Sequence, residues 1–213
     1  MRPSLFAVGL SRGEGQSSFS PLNYFFKLTM LYTRKGDQGT TKTFGCDQRI
    51  SKSSAIAEAL GTLDEINSFL GLCKVKSGEQ DLRIASSRTF ADIVGEVQHN
   101  LFIIQAELAG ADKHIIEEKV KGLETLVDGI EQELPPIKSF FVSGGSELAA
   151  LFDIARTIAR RAERRVVGVS EEGGVTLGEF TLPYLNRLSS LLYALARLSN
   201  AKSGITEEQP NYK

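Results

Sequence analysis

From Ala55 to about residue 202, large apolar side chains return every three or four positions, and this one property restricts the fold more than any other. Ile56, Leu60, Leu63, Ile66 with Asn67, and Leu70 share one face of a helix expected over about 54–75. The same step links Phe90, Ile93, Val97, Leu101, Ile104 and Leu108 within 82–109. A third helix is expected over 115–134 through Val120, Leu123, Leu126 with Val127, and Ile130, and Pro135-Pro136 ends it. Two more are expected over 146–169 and over 178–202, the last with Leu182, Leu185, Leu188, Leu192 and Leu195. No alternating run exceeds four residues, so a parallel α/β sheet has no strands to be built from. No internal repeat of a solenoid's length occurs. The expected fold class is therefore all-α, an up-and-down bundle of five helices.

Composition narrows what such a bundle could do. Twenty-five Lys and Arg against 26 Asp and Glu leave a formal charge of -1, so no global field draws nucleic acid or an anionic membrane, and any anion site must be local. Runs such as Leu191–Ala196 are far short of the roughly 20 apolar residues that span a bilayer. Cys46 and Cys73 cannot form a disulfide framework, and with only His99 and His114 they offer no ligand set for a protein-built zinc site. A reduced, cytoplasmic setting is expected. The 213 residues, 41% of them hydrophobic, suffice for one core, divided as an extension over 1–30, a helical domain over 31–205 and a tail over 206–213. Residues 1–29 mix Ser4, Ser11, Ser17, Ser18 and Ser20 with Arg2, Arg12 and Lys27 and a single acid, Glu14. They read as a disordered extension or a start placed upstream of Met30, or else as a transit peptide that would take the chain to the mitochondrial matrix.

Three places depart from what a bare bundle needs. In Thr33-Arg34-Lys35-Gly36-Asp37-Gln38-Gly39-Thr40-Thr41-Lys42, two glycines free the backbone to wrap an oxyanion while hydroxyls and three cations face it. A polar surface loop is the plain alternative, and the Walker spacing is absent. The fourth helix carries Arg156, Arg160, Arg161, Arg164 and Arg165 with Glu163. At about 100° per residue, Arg156, Arg160 and Glu163 share a narrow arc from which Arg161 diverges. A solvated face with i, i+4 pairs is the plain reading, whereas five arginines and no lysine over 151–170 favour bidentate phosphate recognition. Third, Gly144-Gly145 precede Ser146, which reads at least as an N-cap, and Asn186 sits inside an apolar helix where it would be partly buried and need a partner.

Taken in order, YTRKGDQGTTKTFG, RISK, EALGTLDEINSFLG, FFVSGGS, RTIARRAERRVV and YLNRLSSLLYALAR resemble the PduO-type ATP:cob(I)alamin adenosyltransferases over residues 32 to about 200. The resemblance implies a homotrimer of five-helix subunits that binds ATP with Mg²⁺ and a corrinoid between subunits. It implies transfer of the 5′-deoxyadenosyl group of ATP to Co(I) of cobalamin, giving adenosylcobalamin and triphosphate, with transient partners in a reductase and an adenosylcobalamin-dependent mutase. By motif, Thr33, Arg34, Lys35, Gly36, Thr41, Lys42 and Lys52 match the nucleotide loop, and Arg156, Arg160, Arg161, Glu163, Arg164 and Asn186 match the ATP-contacting helices. Asp64 matches a cross-subunit acid for Arg156, and Phe140 an aromatic that displaces the lower axial cobalt ligand. The chain departs from that pattern at Ser143, where Pro is usual, at Ser190, where an acid is common, and at Cys46-Asp47-Gln48-Arg49, one residue longer than usual, which could shift Lys52. A non-catalytic carrier or sensor of cobalamin or ATP is the alternative of another class, and an RNA-binding bundle is disfavoured by the charge.

Overall fold

The computed structural model describes residues 32–43, 49–85 and 87–213, so the 1–30 extension, its transit-peptide reading and Cys46 lie outside the described residues. The chain divides into two compact units, 1–37 and 38–213. The second holds a hairpin of β1 (Thr40–Lys42) and β2 (Arg49–Ser51), then α1 (Ala55–Glu79), α2 (Phe90–Leu108), α3 (Glu117–Glu133), α4 (Glu147–Glu171) and α5 (Thr181–Lys202). All five expected helices are present. The second begins eight residues later than its expected start at Leu82, because Thr89 caps it through Asp92 N–H (3.0 Å) and the preceding residues turn back in an Arg83–Thr89 bridge. The hairpin was not expected, since three-residue strands carry too short a pattern to read.

Side-chain caps also fix the starts of α1 and α4. Ser54 accepts from Ala57 N–H at 3.4 Å and Ser146 from Ala149 N–H at 3.2 Å. Inside, Leu63, Ile66 and Leu70 of α1, Leu101 and Ile104 of α2, and Leu188 and Leu195 of α5 are fully buried, each contributing about 1.5–3 kcal/mol. α4 packs on α1 and α5, α1 also on α2, and α3 on α5. Cross-helix pairs give the directions: Glu58 with Arg165 and Lys76 with Glu147 make α1 and α4 antiparallel, whereas Glu124 with Arg187 and Glu133 with Lys202 make α3 and α5 parallel. Helix direction thus alternates along the chain, as an up-and-down bundle requires, yet the neighbour order is α2-α1-α4-α5-α3. Consecutive helices are not always neighbours. The 13-residue link between α3 and α4 carries the chain across α5, and it holds Phe140.

The start of α5 is tied to α2 by a buried carboxylate. Glu107 accepts from the Thr181 hydroxyl (2.6 Å) and from Gly178 N–H, and its Oε1 lies 3.0 Å from His114 Nδ1. That bond raises the His114 pKa, partial burial pulls it down, and Asp112 on the other ring nitrogen adds to the rise. A histidine whose folded pKa exceeds its unfolded value of about 6.5 contributes stability that is full below that value and lost as pH climbs through the folded one. Tm is therefore expected to fall as pH rises from about 6 to about 8, with a shallower slope in His114→Asn. Parallel slopes in melting curves of the two proteins would exclude this coupling.

Candidate active site

Because α4 and α5 run antiparallel, the arginine face of α4 lies beside the middle of α5, and two cavities open along this seam. One, of about 270 Å³, is lined by Arg160, Glu163, Arg164, Val167 and Asn186. The other, of about 500 Å³, is walled by Arg156 and Arg160 of α4, by Tyr193, Ser189 and Ser190 of α5, and by the loop from Ile137 to Gly144. Arg160 belongs to both. Glu163 accepts from Asn186 Nδ2 at 2.9 Å, Asn186 Oδ1 accepts from Arg187 Nη1 at 2.8 Å, and Arg187 Nε reaches Glu124 of α3 at 2.9 Å. The expected partner of Asn186 is there, but the side chain is exposed rather than partly buried.

The remaining arginines of α4 divide by direction. Arg161 pairs with Glu65 of α1 and Arg165 lies 3.7 Å from Glu58, so both serve the solvated seam between α1 and α4. Arg161 is not among the residues lining either cavity, in keeping with the divergence from Arg160 that about 100° of helical rotation imposes. Arg156 leans over the Tyr193 ring (5.7 Å) and lies 3.5 Å from Asp153, yet its buried Nε makes no hydrogen bond. Burial holds the Tyr193 phenol above its ordinary pKa and hence neutral. Asp64 lines a separate depression of about 390 Å³ with Leu60, Phe102, Gln105 and Ala106, on the α1–α2 side of the bundle. The in-chain acid of Arg156 is Asp153, not Asp64.

Phe140 is 80% exposed at the mouth of the larger cavity, while Phe141 lies under the Arg197 guanidinium, 5.2 Å from its ring. Arg197 also donates to Glu207 (2.9 Å) and to Pro135 O (3.2 Å), and Val142 N–H donates to Glu208 O at 2.8 Å. Glu207 of the expected tail is therefore bonded to α5, and Glu208 to the loop. Gly144 N–H donates to Asp153 Oδ2 (3.1 Å), and Asn200 bonds both Gly144 O (2.8 Å) and Ser146 N–H (2.9 Å). Gly144 and Gly145 take φ of +120° and +104°, which suits glycine alone. The sequence reading missed Asp153, Tyr193, Arg197 and Asn200. Each lies on a helix where it resembles an ordinary polar or core residue, and only the loop's return reveals it.

In the first unit, Lys35 N–H donates to Thr33 Oγ1 (3.4 Å), Asp37 N–H to Arg34 O (3.4 Å), and Arg34 covers the Tyr32 ring at 5.4 Å. Left-handed backbone falls at Arg34 (φ +59°) rather than at Gly36. In the second unit, Thr41 pairs with Ile50 and Lys42 with Arg49, and Lys52 N–H extends the ladder to Gly39 O at 2.9 Å. The strands pair residue for residue from Thr40 opposite Ser51 to Lys42 opposite Arg49.

Comparison with known proteins adds an independent line. The sequence profile of the family described as cobalamin adenosyltransferase matches residues 31–199. The corrinoid adenosyltransferase of Bacillus subtilis (strain 168) is 43% identical over 82% of this chain and 89% of its own length. The PduO corrinoid adenosyltransferase of Citrobacter freundii is 40% identical over 78% of this chain, which spans 49% of that longer protein. Among solved structures, a Phe-to-Ala variant of the PduO-type ATP:corrinoid adenosyltransferase from Lactobacillus reuteri, complexed with cobalamin and ATP, superposes with a TM-score of 0.75 at 30% identity, covering 85% of this chain and 99% of that one. An Arg-to-Lys variant of the same protein complexed with ATP gives 0.74.

Proposed function

The chain belongs to the cobalamin adenosyltransferase family, and from this we propose how its two adjoining cavities divide the reaction. It transfers the 5′-deoxyadenosyl group of ATP to Co(I) of cobalamin. The electron pair of Co(I) forms a bond to C5′, the C5′–O bond breaks, and its electrons leave with triphosphate. The observation that carries the division is that Arg160 is a wall of both cavities. The smaller cavity, with Arg160, Arg164 and the anchored Glu163–Asn186 pair, suits the nucleotide. The larger, apolar at Phe140 and Phe141, suits a corrin face. A cation on their shared wall stands where charge develops on the leaving triphosphate, already oriented before the bond breaks.

Thr33, Arg34, Lys35, Gly36, Thr41, Lys42 and Lys52 are assigned to the polyphosphate. These cations and hydroxyls suit phosphate oxygens, and Mg²⁺ would be carried on the phosphates themselves. There the ion would neutralise phosphate charge. Phe140 would fill the lower axial position of cobalt and keep a ligand from it. Anaerobic incubation with ATP, Mg²⁺ and chemically reduced cobalamin should change the corrinoid spectrum to that of adenosylcobalamin. No such change would reject the enzyme in favour of the carrier.

The active assembly is a homotrimer, in which Asp64 of one subunit meets Arg156 of the next. Support comes from the partly exposed Arg156 side chain, whose buried Nε lies 3.5 Å from Asp153 without a hydrogen bond, and from the setting of Asp64, an exposed acid beside Phe102, which is 60% exposed on the outside of the bundle. Since Asp153 already stands by Arg156, Asp64→Asn should weaken assembly by about 1.5–3 kcal/mol, short of the roughly 3–5 kcal/mol of a wholly orphaned buried charge. Exchanging Asp64 and Arg156 should recover part of this. Sedimentation and turnover both unchanged in Asp64→Asn would mean that the two residues never meet.

A further inference from the structure

We propose that Asn200 is a positioning residue for Phe140, acting through the Gly144–Gly145 turn; this rests on reading the larger cavity as the corrinoid site. An aromatic side chain that is four-fifths exposed is held only as firmly as its backbone, because little packs around the ring itself. The backbone that carries Phe140 is gripped four residues on. Asn200, 5% exposed near the end of α5, directs both ends of its amide at this turn: Nδ2 donates to Gly144 O at 2.8 Å, and Oδ1 accepts from Ser146 N–H at 2.9 Å. Gly145 lies between those two bonds. A Cβ on it would come within 2.8 Å of Asn200 Cγ and 2.9 Å of Nδ2, so the amide occupies the space that any side chain at 145 would need. From the other side, Asp153 Oδ2 accepts from Gly144 N–H at 3.1 Å, which leaves both backbone polar groups of Gly144 fixed by buried side chains of two different helices.

At this turn a side-chain clamp holds the backbone. Ser143 allows the segment more backbone freedom than a proline would, and the Asn200 amide removes that freedom by hydrogen bonding. Both amide ends must be correct. Asn200→Asp is nearly isosteric and retains the acceptor for Ser146, but sets a carboxylate oxygen against the Gly144 carbonyl. Asn200→Ala removes both bonds and leaves the shape of α5 otherwise unaltered.

The test compares the full-length wild type, Asn200→Ala and Asn200→Asp in two assays. One starts from Co(II)cobalamin with a reduced flavin as electron donor, the other from Co(I)cobalamin made with a strong chemical reductant. Both variants are expected to lose about three- to tenfold in the Co(II) assay, the effect of loosening one or two hydrogen bonds, and less than about twofold in the Co(I) assay and in KM for ATP. The four-coordinate Co(II) signal seen by electron paramagnetic resonance with ATP bound should shrink in parallel. Unchanged signal and Co(II) turnover in both variants would overturn the proposal. So would equal losses in the two assays together with a lowered Tm, which would make Asn200 a fold residue alone. A wild type that forms no adenosylcobalamin even from supplied Co(I) would overturn the corrinoid reading beneath it as well.

Discussion

Replacing Arg160 by alanine should slow adenosyl transfer by about 10²- to 10³-fold, the usual loss when one preorganised donor to a developing anion is removed. The loss is large because, among the described residues, Arg160 alone lines both cavities, so that on the proposed division its guanidinium would face both the leaving phosphate and the attacking cobalt. Part of the defect should persist at saturating ATP, since the charge it meets grows in the transition state. Lys42→Ala should act in the same direction from the hairpin, with more of its effect on KM for ATP. Arg165→Ala is the control: its exposed pair with Glu58 at 3.7 Å contributes about 0–1 kcal/mol, and it lines neither cavity. Steady-state rates over a range of ATP, with sedimentation to establish assembly, check all three. Normal turnover in Arg160→Ala at every ATP concentration would mean that the phosphates lie elsewhere.

Truncating Phe140 to alanine should lower adenosylation from Co(II) by roughly 10²-fold, the scale of a group misplaced by about 1 Å at a reacting centre, and affect adenosylation from supplied Co(I) far less. In free cobalamin the lower ligand donates electrons to Co(II) and makes its reduction difficult. A large apolar ring in that ligand's place would exclude both the ligand and water, so the electron enters more easily. With 80% of its surface exposed, Phe140 has little to do with the core of its own subunit, unlike Phe90 and Phe152, which are fully buried and meet edge to face. Tm of Phe140→Ala should accordingly stay near that of the wild type. Equal losses in the two assays, with a lower Tm, would assign Phe140 to packing and bring the carrier back.

Much of the fold could be read from residue order. Five apolar stripes announced five helices, Pro135-Pro136 ended the third, and Ser146 is the N-cap that its place before Glu147 suggested. These signals are local: a helix buries one face and stops where a backbone bond is missing, whatever the rest of the chain does. Arg156, Arg160 and Glu163 were likewise legible, because residues three or four apart on a helix share a direction, whereas Arg164 and Asn186 were pointed to by the resemblance and not by the helical period.

What the sequence determined, then, is which side chains share a face; which faces meet was decided by tertiary structure. Arg160 and Arg161 are adjacent in sequence with the same chemistry, and only the packing of α1 against α4 gives Arg161 to Glu65 while Arg160 keeps to the cavities. Asp153 and Asn200 read as ordinary helical residues until the α3–α4 link crosses α5 and lays Gly144 between them. Local patterning is set by backbone period, whereas these pairings join residues up to 96 positions apart, and a hydrogen bond across that distance exists only once the burial of all five stripes has fixed where each helix lies.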